Sequence, residues 1–582
     1  MRRDSRQLPL FPVTSFFKHP YPRGSLYDLL ARFGEFLFRR SDFPEAEAAL
    51  GGETGWCPVV LSKLELLRQK HSWTDREAVN RATYDLQVKA CLGLGLEQHG
   101  PSQTTLCRHR LQMQELKLDE VAMHRLRDLL EALELVGDEE PVLIDSVPVH
   151  GGGQQLDTYG LLAAATLRGL RELAKRAGRP VETVAGELDL GVYLHRSVKG
   201  RFGVDWEDAG SRHGFLARLV ADALTVRRLL DGQKSAESSK PERADDSDDA
   251  GGGTESSAAG TIDAIIEHDI EFDGDGAVKG IVQKRAGDRV ISVTDPEMRH
   301  GRKSASKLFA GYKAQIVTSL LYGFIVVVRV IRANVHDGHD LPAIARSLHE
   351  RGTTPAWWGG DHAYGTLANH QFFADDERGD LVSRMARPSN GGRFTKDEFD
   401  YNFDSHTLVC PAGVSLARFR WTTHNKKRCR EFEYPGKSCG ACPLRAQCIN
   451  PKAGSDKGRT VRIVDTEERL IREHLARRET QEFKDRLSRR PAVERVISGF
   501  AQCGGKKTRR HGQTRVSFAS NLSALAYNLR RLGSLMQADE SLAARLDQAL
   551  RAFARRVCRI VAGWCSRVAA LAWGGPRQPS CA

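Results

Sequence analysis

Four stretches of this sequence carry side chains that could do chemistry. Asp145 stands inside Val142–His150, VLIDSVPVH, a run of apolar and largely β-branched residues that reads as a strand. A carboxylate in mid-strand near a sheet's polar edge is costly to ionise unless a cation or a hydrogen-bond network compensates. Metal binding would supply that cation; a short strand that ends at Asp145 and turns at Ser146 is the alternative. Asp361 closes the second stretch, where Ala356, Trp357 and Trp358 form a short hydrophobic strand running into GGDHAY. A plain Gly-Asp turn would look the same. The third is RRPAVERVISGFAQ, in which Pro491 suits the first turn of a helix and Arg490 and Glu494, four apart, can share a face across that turn. A surface ion pair is its simpler meaning. The fourth is a set of thiols: Cys410 in CPAG and, after the basic stretch Lys426, Lys427, Arg428, the group Cys439, Cys442 and Cys448 in CGACPLRAQC. The spacing C-x2-C-x5-C together with Cys410 offers four thiolates to one structural zinc ion. Cys429 is a spare, and buried inert thiols are the alternative.

The bulk of the chain narrows the partners. With 582 residues and 40% hydrophobic content it has core material for three or so globular domains. Lys and Arg exceed Asp and Glu by 87 to 74, a net +13, which favours a polyanion: nucleic acid first, an anionic membrane second. The N-terminus has an early Arg pair but also Asp4 and no long apolar core, so no signal peptide is expected. Arg559 and Arg567 interrupt the apolar stretch Val557 to Trp573, which argues against a membrane span. Twelve cysteines in so long a chain fit a reducing compartment. A cytoplasmic protein, nucleoid-associated when bound to DNA, is the expectation.

The elements that must position these residues can be placed along the chain. From Ser25 to Leu135 the pattern is helical, with Leu26, Leu29, Leu30 and Phe33 at helix spacing and Thr74 with Glu77 as a capping box. One helix is expected from Asp75 to about Leu92, then a second bearing Arg108, His109 and Arg110. That pair resembles a DNA-binding helix-turn-helix; two packed helices with an exposed basic face would give the same pattern. Helices Tyr159 to Arg176 and Ser211 to Leu230 follow. Gly232 to Gly260 lacks large apolar residues and carries seven acidic against three basic residues, a local −4 that leaves about +17 on the rest; a disordered loop within an insertion is expected. Strands at Gly311–Thr318 and Gly323–Arg332, a helix from Asp340 to Arg351, and the strand before Asp361 give the order strand, two strands, helix, strand, that of a ribonuclease H-like sheet. A helical run from Glu467 to Arg489 precedes Glu494. Lys506, Lys507, Arg509 and Arg510 come next, then an apolar helix from Ser520 to Leu532. The tail places Leu542, Leu546, Leu550, Phe553, Val557 and Ile560 on one stripe, with Arg545, Arg555, Arg556 and Arg559 around it, a docking face for the body or another subunit.

Taken together these pieces resemble the DDE transposases of bacterial insertion sequences, in the group with an InsH-like helical N-terminal domain, an interrupted ribonuclease H-like core and a cysteine-bearing insert. The resemblance covers most of residues 16 to 532. Its most specific stretch is DPEMRHGRKSASKLFAGYKAQIVTS, Asp295 to Ser319, followed by NVHDGHD (Asn334 to Asp340), GDHAYG (Gly360 to Gly365) and CPAG with CGACPLRAQC. The resemblance implies an α/β fold: a helical DNA-binding domain over 1–137, and a catalytic domain over 138–532 built on a mixed ribonuclease H-like sheet. That domain would carry a helical and disordered insertion at 151–290 (low-complexity 232–260) and a cysteine-rich insert at 400–460. A basic amphipathic helix over 533–582 would end the chain. Asp145 matches the family's first acid, Asp361 its second, and Glu494 the Glu of its Tyr-x2-Arg-x3-Glu-x6-Lys signature, whose Arg is Arg490. Leu487 stands in place of the Tyr and Ala501 in place of the Lys, a role that falls to Lys506 or Lys507.

The activity implied is metal-dependent cleavage and joining of DNA. Two Mg (or Mn) ions about 4 Å apart activate the attacking oxygen and stabilise the leaving one, and hard cations want carboxylate oxygens. Asp145 is expected to bridge both ions, with Asp361 and Glu494 holding one each. His300, Arg302, Lys303, Lys307 and Lys313, with Arg490, Lys506, Lys507, Arg108 and Arg110, are the expected contacts to double-stranded DNA, positioning without reading sequence. Ordinary surface charge is the simpler meaning of any single one. Terminal inverted repeats and target DNA would be the partners, held by a homodimer. Two rival classes share these residues: a decayed or domesticated DNA-binding protein that no longer cuts, and a nuclease that cuts without joining. Core packing, not base stacking, is expected of Trp357 and Trp358.

Overall fold

In the computed structural model the described residues are 12–17, 19–43, 55–234, 257–283, 286–303, 306–375, 378–385, 390–452, 454 and 456–551. The chain divides into two compact units: one holds Met1–Gly137, Ser146–Val335 and Glu494–Ala582, the other Asp138–Asp145 and His336–Val493. The fold is mixed α/β. The strand β1, Val142–His150, contributes its first residues to the second unit and the rest to the first.

The first unit begins as a helical assembly whose boundaries are set by side-chain caps. Ser25 accepts from Asp28 N at the start of helix Leu26–Leu37, and Thr74 accepts from Glu77 N at the start of Asp75–Tyr84. The single helix expected from Asp75 to Leu92 is broken. Asp85 takes an extended backbone and its Oδ1 accepts from Gln87 N and Val88 N, so a new helix, Leu86–Leu92, starts there. An Asp that satisfies two orphan amides outcompetes continuation of the helix. These helices, with Pro58–His71, Gln103–Glu115 and Leu118–Ala132, share one hydrophobic core with helix Gln513–Ala538, whose Leu522, Leu525, Leu529 and Leu532 are fully buried. Leu542 and Leu546 of the expected tail stripe join this core; Phe553, Val557, Ile560, Arg555, Arg556 and Arg559 lie outside the described residues.

A second helical cluster comprises Thr158–Ala177, Ala209–Lys234 and Ala258–Asp269. Both ends of the segment expected to be disordered are therefore helical: Gly232 continues the first helix, and Ser257 caps the next through Gly260 N. The remainder, 235–256, lies outside the described residues. A hairpin of β2 (Ile270–Phe272) and β3 (Val278–Ile281) follows, then β4 (Arg299–Arg302), β5 (Leu308–Ser319) and β6 (Ile325–Arg332). β5 pairs antiparallel with β4 and with β6 and neighbours β1. The contact with β1 is close. Gly311 has φ +145°, and a Cβ there would sit 2.2 Å from Val149 O and 2.5 Å from Gly151 N. Gly311→Ala is expected to force the two strands apart at a cost of about 1–3 kcal/mol, seen as a lowered midpoint in thermal unfolding; an unchanged midpoint would refute the tight approach.

The second unit holds a small parallel sheet and a β-rich insert. β7 (Trp357–Gly359) pairs parallel with β1 and with β8 (Asp380–Val382). β7 is short and fully covered: Trp358 is buried with its Nε1 donating to Arg378 O, and Trp357 is buried beneath the Arg486 guanidinium. Core packing is thus the role of both tryptophans. The insert contains β9 (Asp400–Asn402), β10 (Thr407–Val409) and β11 (Ser415–Leu416) in one antiparallel sheet, and β12 (Arg420–His424), β13 (Lys427–Glu433) and β14 (Thr460–Ile463) in another. Phe399, Tyr401, Leu408, Phe432, Tyr434, Val461 and Ile463 form its core. Among the described residues no helix is long and apolar enough to cross a membrane.

Candidate functional site

The parallel register of β1 and β7 decides where the first two acids stand. Val142 pairs with Trp358 and Leu143 with Gly359; the paired stretch ends with β7, and Asp145 lies three residues after Val142 within β1 while Asp361 lies three after Trp358 in the turn that follows β7. Both acids thus follow the same short parallel pairing in the same chain direction. Asp145 is mostly buried, its side chain 17% exposed, and its Oδ2 lies 3.8 Å from an Arg490 Nη2. Asp361 sits in the turn after β7. Its Oδ1 accepts from Ala363 N at 2.9 Å, and its backbone carbonyl accepts from Ser383 Oγ at 2.5 Å. The Gly359–Gly360 pair is required there: a Cβ on Gly359 would meet Leu143 at 2.6 Å, and one on Gly360 would meet Tyr364 at 3.0 Å.

These two carboxylates are a hard-oxygen donor set, and Asp361 Oδ2 has no partner among the described residues, so the pair suits a divalent cation of the magnesium class. The Nε of Arg490 is buried without a hydrogen-bond acceptor, a feature that a phosphate oxygen would relieve. Glu494, exposed in the first turn of helix Pro491–Phe500, is one helical turn beyond Arg490. Among the described residues no three His, Cys, Asp or Glu side chains are gathered closely enough to form a ready metal cage.

The cationic candidates separate by strand and helix geometry. β4 alternates, so Arg299 and Gly301 are buried while His300 and Arg302 are exposed; Lys303 and Lys307, also exposed, flank the β4–β5 turn. Arg299, which the basic appearance of this stretch conceals, is wholly buried, donating to Asp288 Oδ1 and to the Pro296 carbonyl. Nearby Asp295 accepts from Tyr312 OH and Gly512 N. Lys313 is half-buried with Nζ 2.8 Å from Val335 O. Lys506 and Lys507 are exposed and run beside the end of β1, where His150 N donates to Lys506 O and Thr508 N to His150 O. Burial and these two lysines hold the His150 imidazole below its usual range. Ala501 falls in a distorted turn, Ala501–Gly505, in which Gly504 takes φ +83° against Gln69 O.

In helix Gln103–Glu115 only Arg108 of the three basic residues faces out. His109 is buried against Phe43, hydrogen-bonded to Ser62, and burial lowers it to about 4. Arg110 turns inward to Glu65 (3.1 Å) and Asp75 (2.5 Å). It belongs to a cluster that sequence inspection did not find: the fully buried Glu65 accepts from Arg68 at 2.8 Å, from Arg110, and from Arg510 at 2.7 Å. Burial alone would raise the Glu65 carboxyl, but the three guanidinium groups outweigh it and hold it far below the carboxylate range. Burial lowers Arg510 to about 10 despite Glu65.

Cys410, Cys439, Cys442 and Cys448 line one pocket, walled by Phe394, Phe399 and Tyr434. Burial raises the Cys448 thiol; Arg459 opposes the shift, and Cys439, Cys410 and Cys442 add to it. Cys429 is elsewhere, buried on β13 with Sγ toward Thr422 O.

Two segments of the chain match known protein families. Residues 409–533 match a family model described as a transposase DDE domain, and residues 16–112 match one described as a transposase domain, DUF772. The first match contains Arg490, Glu494 and all four pocket cysteines; Asp145 and Asp361 lie before it. No curated protein and no solved structure matches the chain. In these two segments the chain is similar to transposases: a DDE domain over 409–533 and a DUF772 transposase domain over 16–112.

Proposed function

We propose that this protein binds the ends of an insertion sequence and catalyses metal-dependent cleavage and strand transfer of DNA on a ribonuclease H-like sheet. The carrying observation is the parallel pairing of β1 with β7 at Val142–Trp358 and Leu143–Gly359, after which Asp145 and Asp361 each follow by the same number of residues. Within the first unit the antiparallel β5–β6 pair, and within the second the parallel pairing of β7 with the start of β1 and with β8, support the ribonuclease H-like topology. Asp145, Asp361 and Glu494 are the residues that would hold divalent magnesium or manganese. When bound, such ions supply Lewis-acid activation of the attacking and leaving oxygens.

The chain's own groups do the rest. Carboxylate oxygens are the donors that hard divalent cations take, which is what Asp145 and Asp361 would offer. Arg490, fixed beside Asp145, orients a phosphate through its unused Nε. The exposed His300, Arg302, Lys303 and Lys307, with Lys506, Lys507 and Arg108, attract and align the duplex through its backbone; Lys313, bonded to the Val335 carbonyl, and Arg110, turned into the Glu65 cluster, are left out of that surface. Joining two element ends calls for two copies of the active site, hence a homodimer on DNA. The test is incubation of the full chain and a labelled duplex carrying the element's terminal repeat with Mg or Mn. Cut ends followed by joined products support the reading. Cutting without joining in a paired-end substrate identifies a nuclease, and binding without either identifies a DNA-binding relic.

Cys410, Cys439, Cys442 and Cys448 are the residues that would hold a structural zinc ion in this reading: four soft donors line one pocket, although they are not gathered into a ready cage. The expected zinc content is one ion per chain by elemental analysis, lost in the Cys439→Ser, Cys442→Ser variant. Four freely titrating thiols and no zinc in protein purified without chelator would overturn it.

A further inference from the structure

The hairpin formed by β12 and β13 is unusually cationic. Between Arg418 and Arg430 there are six Lys and Arg residues and no Asp or Glu. The two strands pair Arg420 with Glu431, Trp421 with Arg430, Thr423 with Arg428 and His424 with Lys427. They are joined by Asn425 and Lys426, both with positive φ, 49° and 62°, the tight turn whose twist matches a two-stranded ribbon. Some of the charge is spent locally: Arg420 and Arg462 bracket Glu431, Arg430 meets Asp465, and Lys427 meets Glu467. Arg418, Lys426 and Arg428 have no carboxylate partner among the described residues, and all three are exposed.

Trp421 explains how this charge is held. The ring is 49% exposed, a large cost in apolar surface for a residue with no core role, yet the Arg428 and Arg430 guanidinium carbons lie over it at 4.2 and 4.7 Å. Cation–π attraction keeps two like charges beside each other. A ring so occupied is a platform for guanidinium groups and not an open face for an unstacked base, which favours a duplex backbone over a single strand.

We infer that the tip of this hairpin, Lys426 in the turn and Arg428 held over Trp421, is a phosphate-backbone contact for double-stranded DNA. The inference rests on the DNA-acting function proposed above. A two-stranded ribbon fits the duplex major groove, and flanking cations reach the phosphates on its rims. Each phosphate neutralised contributes about −0.9 to the slope of log affinity against log salt concentration. The experiment is fluorescence anisotropy of the full chain on a labelled duplex from 50 to 300 mM salt. The Lys426→Gln, Arg428→Gln variant should flatten the slope by about 2, and Trp421→Ala by about 1, through loss of the platform with both charges retained. Lys452→Gln, Lys457→Gln, the same charge change at exposed positions away from the hairpin, should keep the wild-type slope. Wild-type binding with an unchanged slope in the hairpin variant, or equal flattening in the control, overturns the hairpin assignment alone. No duplex binding by the wild type overturns this inference and the proposed function together.

Discussion

Asp145→Asn and Asp361→Asn are each expected to abolish DNA cleavage, by about 10³-fold or more, while leaving duplex binding within a few-fold of wild type. A loss of that size corresponds to about 4 kcal/mol of transition-state stabilisation. The expectation follows from the proposed site: both acids come shortly after the parallel pairing of β1 with β7, and in that proposal they hold the same cations. Residues that act as a unit are non-additive, and the double variant should be no slower than either single one. Glu494→Gln should show the same loss if it completes the set. The measurement is single-turnover cleavage of the labelled terminal-repeat duplex, with binding followed in parallel by anisotropy. A single variant that cuts within about tenfold of wild type removes Asp145 and Asp361 from the reacting centre.

The second large effect concerns folding. Glu65 is the one carboxylate bonded to all three of Arg68, Arg110 and Arg510, each about 12% exposed. Glu65→Ala leaves Asp75 against three buried cations, and breaking a buried ion pair from one side costs about 3–5 kcal/mol. Urea unfolding of the variant should show that loss; a difference under about 1 kcal/mol would mean that water or rearrangement relieves the arginines. The same cluster predicts a pH response. Because the folded carboxyl is held below its unfolded value of about 4.3, its stabilisation is fully present above that pH. It is lost progressively as pH falls below about 4 toward the folded value. In Glu65→Gln this component of the acid destabilisation should be absent.

Much of the scaffold was visible in the sequence because it depends on local pattern. The β-branched run at Val142–His150, the strands about Gly311–Thr318 and Gly323–Arg332, and the helices beginning near Leu26, Tyr159 and Ser211 each form where their periodicity places them. The strand before GGD was legible for the same reason, and with it the position of Asp361. What escaped depends on partners far away in sequence. Nothing in RHR distinguishes Arg108, which faces out, from Arg110, whose carboxylate partners are 45 and 35 residues earlier. Arg299 stands in the basic run RHGRK, yet strand alternation buries it on Asp288. The break at Asp85 is a local competition between a side chain and the next helical turn, which an apolar pattern spanning both helices hides. The β12–β14 sheet was missed because its strands are short and polar on the exposed side, and their only core residues, such as Phe432 and Ile463, are separated by an intervening loop.

The pairing of Val142 with Trp358 joins chain segments more than 200 residues apart. The distance between the two acids in space is thereby uncoupled from their distance along the chain. Between them the polypeptide leaves and re-enters well-packed helices at Lys234 and Ser257, so residues added or removed there alter the count without altering the register. Sequence spacing is consequently a poor ruler for recognising kindred enzymes. A comparison that demands a constant interval between the two aspartates will discard relatives whose strands meet in the same way, whereas one that aligns the flanking strands first will keep them.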